Sequence, residues 1–475
     1  METTVIQGDR RLVIEPSRRA PVAAETDVLV AGGGPAGFGA ALGAARQGVK
    51  TLVVERNGFL GGAATAVAMN TWNCPLEHLT GVAREVAIRL IESGYAWPGP
   101  TIPFDPEELK ELEMEMLLEA GVNLLLYTWV AEPIVTEGRI RGVIVQSKSG
   151  RQAILADAVV DATGDGDVAY AAGCPVVKGR EEDGKMRPVT VLFRLAGVDL
   201  EELISHCRDH PQNFTADPSF HVLRPETGVV RISGFFEEVA EARGRGEIRG
   251  DINYLRFEGI DVARGVITVN SSRVYGIDGT DMWDITRGEL EARQQNRDLF
   301  NFIKAHIPGC RDACVIGSSS NLGVRETRRV RGEHVLREED ILSKQTYSDS
   351  VARIWRFHET GRDWHSPDGG EGARDNMVYR DAVTKLNSFE IPYGVLVPQE
   401  VDGLAVSGRI ISQNHRADMW TRGQYCCMVT GQVAGTATAL SAQLGTTLRR
   451  LDVPLLQRAL LEQGIDIGEV AAELQ

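Results

Sequence analysis

Cysteine is scarce in this chain and never spaced for metal or cluster binding. Cys74, Cys174, Cys207, Cys310, Cys314, Cys426 and Cys427 are scattered through 475 residues, with no CxxC and no Cys–His zinc pattern. An odd, dispersed set argues against a disulfide scaffold and against a cysteine-ligated iron–sulfur cluster in the chain. Cys426 and Cys427 are vicinal, and such pairs close a disulfide only with strain. Basic charge is also short. Lys and Arg number 51 against 66 Asp and Glu, a net charge of −15. That balance disfavours nucleic acid or an anionic membrane as partner, although a local arginine cluster still suits an anionic small substrate. Long apolar runs are missing too. Residues 28–45 and 423–448 carry no charge, but glycine interrupts both, and the second is crowded with Thr, Ser and Gln. A spanning helix needs about twenty mostly apolar residues. Residues 1–19 mix acids and bases without an apolar segment, so no signal peptide is expected and the cytoplasm is the expected location. No metal site is expected either: Asp165 and Asp167 stand in a glycine-rich loop and read as turn residues.

The first thing present is a dinucleotide-binding unit. Val28-Leu29-Val30-Ala31 is an apolar run ending in Gly32-Gly33-Gly34-Pro35-Ala36-Gly37, and a small-residue segment follows. The pattern is a buried strand, a tight turn and a helix start. Gly32 permits the turn, Gly34 lets backbone approach a pyrophosphate, and Gly37 lets helix pack on strand. Helix N–H groups and the macrodipole favour an anion there. A second apolar run, residues 51–54, ends in Glu55, which places a carboxylate where the adenosine ribose hydroxyls of a dinucleotide lie. The loop after it holds Arg56, Gly61, Gly62, Ala63 and Thr65 and is read as lying flat against the cofactor.

Residues 81–93 and 105–119 have helical spacing, and Met114, Met116, Leu117 and Leu118 are read as core. A strand is expected over 122–130, then a β-meander through 134–155. The meander leads into Ala158-Val159-Val160-Asp161-Ala162-Thr163-Gly164, a strand ending in a small-residue turn. Strand–helix–strand, meander, then such a strand is the layout of FAD-binding two-dinucleotide-fold flavoproteins, whereas plain NAD domains continue with further βα units. No second dinucleotide motif is visible, so no dedicated NAD(P)H domain is expected. The chain divides into an N-terminal arm (1–25), a first part of the FAD-binding domain (26–175), an inserted substrate domain (176–386), a second part of the FAD-binding domain (387–448) and a helical tail (449–475). Within the insert, residues 361–375 read as a mobile surface loop. The fold class is α/β: a Rossmann-like FAD domain with an inserted mixed α+β domain.

Three blocks in order, GGGPAGFGAALGAARQGVKTLVVERNGFLGGAAT, ADAVVDATGDGDVAYAAG and GLAVSGRIISQNHRADMWTRGQYCCMVTGQVAGTATAL, with VRETRRVRGEHVLREEDIL between the last two, carry a family likeness. The chain resembles the bacterial FAD-dependent oxidoreductase family, itself distantly related to the fumarate reductase and succinate dehydrogenase flavoproteins. The resemblance implies an extended FAD, with Gly32, Gly34, Pro35, Ala36 and Gly37 at the pyrophosphate and Glu55 at the ribose. It implies Gly61, Gly62 and Thr65 toward the flavin, Val130 at adenine through its backbone, and Thr163 and Gly164 on the adenosine side. It further implies Gly408 and Arg409 by the ribityl chain and Thr430, Gly431 and Gln432 by the isoalloxazine. Arg409 stands where many two-dinucleotide flavoproteins have Asp.

For substrate groups, Arg325 and Arg328 are candidate clamps for a carboxylate, against the alternative of a helix face paired with nearby glutamates. His415, just after the Gly-Arg turn, is a candidate general base, against a loop histidine bonded to a carboxylate such as Asp418. The expected activity is hydride transfer between a small polar organic substrate, anionic or not, and flavin N5, as a dehydrogenase. The alternatives are a partner-fed flavin reductase and an electron-transfer subunit of a larger complex. A homo-oligomer, an unidentified electron acceptor or a partner protein is compatible with each.

Overall fold

The computed structural model describes residues 4–7, 10–13, 17–215, 221–358, 365–368 and 385–474. The strand expected at 11–14 is Arg10–Val13, hairpin-paired with Thr4–Gln7; Ile14 lies outside the described residues. So does the surface loop expected at 361–375, apart from 365–368.

A parallel sheet organises the nucleotide end. Its strands run in the order Asn123–Leu125, Thr51–Val54, Val22–Ala31, Gly150–Asp161, with Leu404–Val406 beside the end of the last. Pairing begins at Val22, inside the stretch read as an arm. Gly150–Asp161 does two jobs. Its first half pairs antiparallel with Arg139–Ser147 in the meander, and its second half pairs parallel with Val22–Ala31 and Leu404–Val406. The meander and the strand after it are therefore one element. The strand expected over 122–130 is broken, because Tyr127 takes a positive φ of 51° between Asn123–Leu125 and Trp129–Thr136.

Two helices cover one face of this sheet, and they lock through small residues. Pro35–Ala45 follows the glycine turn, and Gln424–Leu444 returns from the far end of the chain. A Cβ added to Gly431 would lie 1.9 Å from the Ala36 carbonyl oxygen, and one added to Gly39 would lie 2.0 Å from that of Met428. Glycine on both helices thus lets the backbones touch, which explains why most of the uncharged run 423–448 is a buried helix, ending at Leu444. Among the described residues no helix is long and apolar enough to cross a membrane. Val28, Val30, Phe38, Val160 and Val429 share the core beneath, and burying each such side chain contributes about 1.5–3 kcal/mol. In the helix Pro106–Glu119, Asp105 caps the N-terminus by accepting the Glu107 N–H at 2.8 Å. Met116 and Leu117 are core, but Leu118 points to solvent at 64 % exposure.

The second region is a six-stranded antiparallel sheet, Val222–Arg224, Val229–Gly234, Leu255–Asp261, Val266–Val269, Phe193–Ala196 and Cys314–Ser318 in spatial order. It has its own core, in which Leu203, Val239, Leu299 and Ile303 from its helices meet Ile232 and Phe257. The antiparallel pair Ser350–His358 with Lys385–Pro392 returns to the first region, where Val351, Ile354 and Ile391 join the core of the glycine-loop helix.

Candidate active site

A deep cleft runs from the glycine turn to the antiparallel sheet. At the nucleotide end, Gly32 holds a positive φ of 101°, which glycine tolerates, and its N–H donates to the Val54 carbonyl at 2.8 Å. Gly37 closes the same turn, since a Cβ there would fall 1.8 Å from the Gly32 carbonyl oxygen. Helix Pro35–Ala45 starts at Gly34 with no side-chain cap and no acid in its first turn. Its leading N–H groups thus remain available to an anion. Gly34 faces open cleft: a Cβ there would meet nothing nearer than the Gly62 Cα at 3.8 Å. That is the cradle a pyrophosphate requires. Beside it Glu55 ends its strand, accepting the Gly33 N–H at 2.7 Å and the Asn57 N–H at 2.8 Å. Pro35, Ala36, Arg56, Gly62 and Ala63 also line the cleft. The Gly61 N–H donates to the Gly33 carbonyl at 2.9 Å, tying this loop to the turn, and Thr65 donates to the Leu60 carbonyl.

The opposite wall is Thr163, Gly164, Gly408 and Arg409. Asp161 at the strand end accepts from the Thr163 N–H, the Thr163 hydroxyl and the Ala169 N–H. Burial still outweighs those bonds and pushes its carboxyl up to about 6. Arg409 reaches across to Asp165 at 2.7 Å, and Thr327 donates to the same oxygen at 2.8 Å. Asp167 pairs with Arg328 at 2.8 Å. The two loop aspartates are thus spoken for by arginine, and no group of three or more His, Cys, Asp or Glu among the described residues is placed to hold a metal ion.

The inner end is walled by Asn73, Thr190, Leu192, Arg256, Asn270, Arg325, Arg356, His365 and Arg422. These come from both regions of the chain. Arg256 pairs with buried Glu258 at 2.8 Å. The Arg422 guanidinium lies 3.1 Å from His365 Nδ1. Guanidinium only donates, so Nδ1 is the acceptor and Nε2 carries the ring hydrogen. Burial, then the charges of Arg325 and Arg422, hold the His365 pKa well below its ordinary value, so the ring is neutral. Sequence reasoning placed none of Arg256, Arg356, His365 or Arg422 here. No local pattern marks them.

Several expected site residues stand elsewhere. His415 is buried behind the wall at 2 % exposure, with Nδ1 2.8 Å from Glu326 Oε1. Glu326 in turn pairs with Arg329, and Arg187 pairs with Asp418 at 3.3 Å. Arg328 caps the turn carrying Asp165 and lies 4.4 Å over the Tyr170 ring. The segment 324–327 is neither helix nor strand, so no helix face forms, and Arg325 and Arg328 point to different places. Thr430 accepts the Gly408 N–H at 3.2 Å and so supports the wall from behind. Gly431 serves helix packing. The Gln432 side chain accepts the Val82 N–H at 2.8 Å and donates to Gln463 at 2.9 Å, so it faces away from the cleft. Val130 lies in the meander strand, paired with Val145, outside the cleft lining.

Known proteins align with this arrangement. A family model described as FAD dependent oxidoreductase matches residues 27–460. The thiamine thiazole synthase of Methanococcus vannielii is 31 % identical over 156 residues, 30 % of this chain and 56 % of that protein. The thiamine thiazole synthase of Saccharolobus solfataricus is 33 % identical over 153 residues, 30 % of this chain and 55 % of its own. The chain thus spans about half the length of these curated relatives. Among solved structures, a geranylgeranyl bacteriochlorophyll reductase-like protein of Thermoplasma acidophilum is 14 % identical with a TM-score of 0.45, covering 95 % of this chain and 98 % of that one. The myxobacterial chondrochloren halogenase is 12 % identical with a TM-score of 0.48, covering 93 % and 78 %. With a family match over almost its whole length and a dinucleotide cradle at the expected turn, this chain belongs to the FAD-dependent oxidoreductase family, and FAD is its cofactor.

Proposed function

We propose that the protein is a dehydrogenase, moving a hydride from a small polar organic substrate to N5 of its FAD. One observation carries this reading. The cleft does not end at the nucleotide site but continues into a polar inner chamber walled by Arg256, Asn270 and Leu192 of the antiparallel sheet region and by His365. A second molecule therefore has a place of its own at the end of the cofactor cleft.

The FAD supplies the electron-accepting ring, and the protein supplies binding, orientation and electrostatics. Gly34, Pro35 and Ala36 hold the pyrophosphate at the helix N-terminus. Glu55 receives the adenosine ribose. Gly62, Ala63, Gly164 and Arg409 flank the remainder. Burial and the neighbouring arginines keep His365 neutral on this wall, with Nδ1 turned to Arg422. The arginines on the wall orient the substrate's polar groups.

The first test is anaerobic titration of the flavin-loaded protein with NADH and with NADPH, reading the flavin absorbance. The dehydrogenase reading expects neither to bleach the flavin rapidly, and expects bleaching by a member of a panel of hydroxy acids, sugars and amines. Rapid bleaching by a nicotinamide would replace the reading with a flavin reductase.

A further inference from the structure

Among the described residues lining the cleft the carboxylates are Glu55 and Asp165, and both belong to the nucleotide end. The inner end carries cations. Two of them already have carboxylates: Arg256 has Glu258 at 2.8 Å, and Arg422 has Asp418 at 3.7 Å. Arg325 has none. The residue is 8 % exposed and its guanidinium donates to the Pro188 carbonyl at 2.5 Å, while its charged neighbours among the described residues are Arg273 and Arg422. Arg356 donates to the Trp420 carbonyl at 2.9 Å, and its Nε is buried without a hydrogen-bond partner among the described residues. On the same wall Asn270 is 5 % exposed, and among the described residues its amide nitrogen has only the Met69 sulfur at 3.4 Å.

An uncompensated buried cation is costly, and proteins keep one where a ligand supplies the opposite charge. Burial and the two neighbouring arginines press the Arg325 pKa well below its ordinary value, so an arriving anion meets a strongly desolvated fork. Arginine's planar pair of N–H donors matches a carboxylate or a phosphate oxygen pair. The FAD pyrophosphate already has its own seat at Gly34, which leaves these arginines for a second anion.

We propose that the substrate is an organic oxyanion, a carboxylate or a phosphate ester, whose charged group sits on Arg325 with Arg422 beside it and Asn270 and His365 on the walls. This rests on the dehydrogenase reading of the cleft for the word substrate. The anion subsite itself stands on the geometry of the inner wall.

The test uses the FAD-loaded protein at low ionic strength. Malonate, citrate and inorganic phosphate are titrated separately, with glycerol as neutral probe and chloride as ionic-strength control. Perturbation of the flavin absorption spectrum is the readout. A saturable perturbation is expected from the carboxylates or from phosphate, at least tenfold tighter than from chloride and absent with glycerol. The arm that binds tighter separates a carboxylate substrate from a phosphate ester. Arg325→Met should weaken it at least tenfold, and Arg325→Lys, which keeps charge but not the fork, should fall between. Arg264→Met, on a side chain 84 % exposed, should match the parent protein. Flavin content is measured for each variant. If Arg325→Met loses FAD, the Lys variant and the parent titration decide. Oxyanions that perturb no better than chloride, or a Met variant that binds them unchanged, would overturn the subsite. Failure of the enzymatic reading looks different. Anions would then bind as described, yet no organic acid or phosphate ester would bleach the flavin.

Discussion

His415 Nδ1 and Glu326 Oε1 stand 2.8 Å apart in a buried charge network, outside the cleft. Glu326 also faces Arg329 and, at 3.7 Å, Arg187. Burial pushes its carboxyl up, but the His415 hydrogen bond and the two arginines win, and its pKa lies below the ordinary value. Its contribution to stability is therefore present above the unfolded-state pKa and lost as pH falls through the folded-state one. Removing the carboxylate leaves buried cations uncompensated, so Glu326→Ala should cost about 3–5 kcal/mol in denaturant unfolding. His415→Gln should cost about 1–3 kcal/mol through the lost partner. It should leave the shape of the pH profile of kcat/KM unchanged. Loss of one limb of that profile in His415→Gln would reinstate the histidine as general base.

Gly431 and Gly435 set how close the two buried helices come. A Cβ at either would lie 1.9 Å from a carbonyl oxygen, of Ala36 and of Ala40 respectively. Each alanine substitution should destabilise by about 1–3 kcal/mol, because the helices must part. The two should differ in cofactor retention. Ala36 lines the cleft, and Ala40 does not. Gly431→Ala should therefore release FAD at lower denaturant concentration than Gly435→Ala, read by flavin fluorescence during unfolding. Equal release would show that the helix contact does not reach the cradle.

What was legible in the sequence was local. The strand, turn and helix from Val28 to Ala45 and the acid at Glu55 sit in short-range patterns whose physics needs no distant partner, and Gly32, Gly34, Pro35, Ala36 and Glu55 do line the cleft. The inner chamber was not legible. Arg256, Arg356, His365 and Arg422 meet only because strands and helices far apart in sequence converge. His365 lies within a Gly-, Arg- and Asp-rich stretch whose composition signals only loop. Direction of side chains was equally hidden. Arg325 and Arg328 sit three positions apart, yet the non-helical backbone between them sends one into the cleft and the other to Asp167. Gln432 follows the same lesson, since a buried helix in contact with the cleft offers most of its surface to other helices.

Glu55 joins the glycine turn to the loop after its strand, and any ribose it receives competes with those bonds. Glu55→Gln keeps an acceptor for one N–H but loses the charge. Hydrogen bonds to charged groups contribute about 1.5–3 kcal/mol, so FAD affinity should fall roughly ten- to a hundredfold. Glu55→Ala should fall further, because the Gly33 and Asn57 N–H groups also lose their acceptor. The measurement is the dissociation constant from flavin fluorescence on titrating apoprotein. An unchanged constant in both variants would remove Glu55 from the cofactor site.

Glu113 poses the opposite case, an acid with nothing to answer it. It is fully buried on helix Pro106–Glu119, and neither carboxyl oxygen has a hydrogen-bond partner. A Cβ on Gly61 would lie 3.0 Å from its Oε2, so the carboxyl packs directly beneath the loop that carries Gly62 and Ala63. Burial pushes its pKa well above the ordinary value. The folded state therefore holds this proton after the unfolded chain has released it. Stability is full below the unfolded-state pKa and declines by about 1.4 kcal/mol per pH unit until the folded-state pKa is passed. Glu113→Met keeps the volume and has no proton to lose. It should come nearest the parent below the unfolded-state pKa, exceed it increasingly as pH rises above that value, and show a flatter profile of urea midpoint against pH. Because Gly61 lies between Glu113 and the cleft-lining Gly62 and Ala63, alkaline loss of FAD should be delayed in the same variant. Parallel pH profiles for the two proteins would mean that the loop and helix relax enough to hydrate Glu113, and that this carboxyl is not the source of alkaline instability.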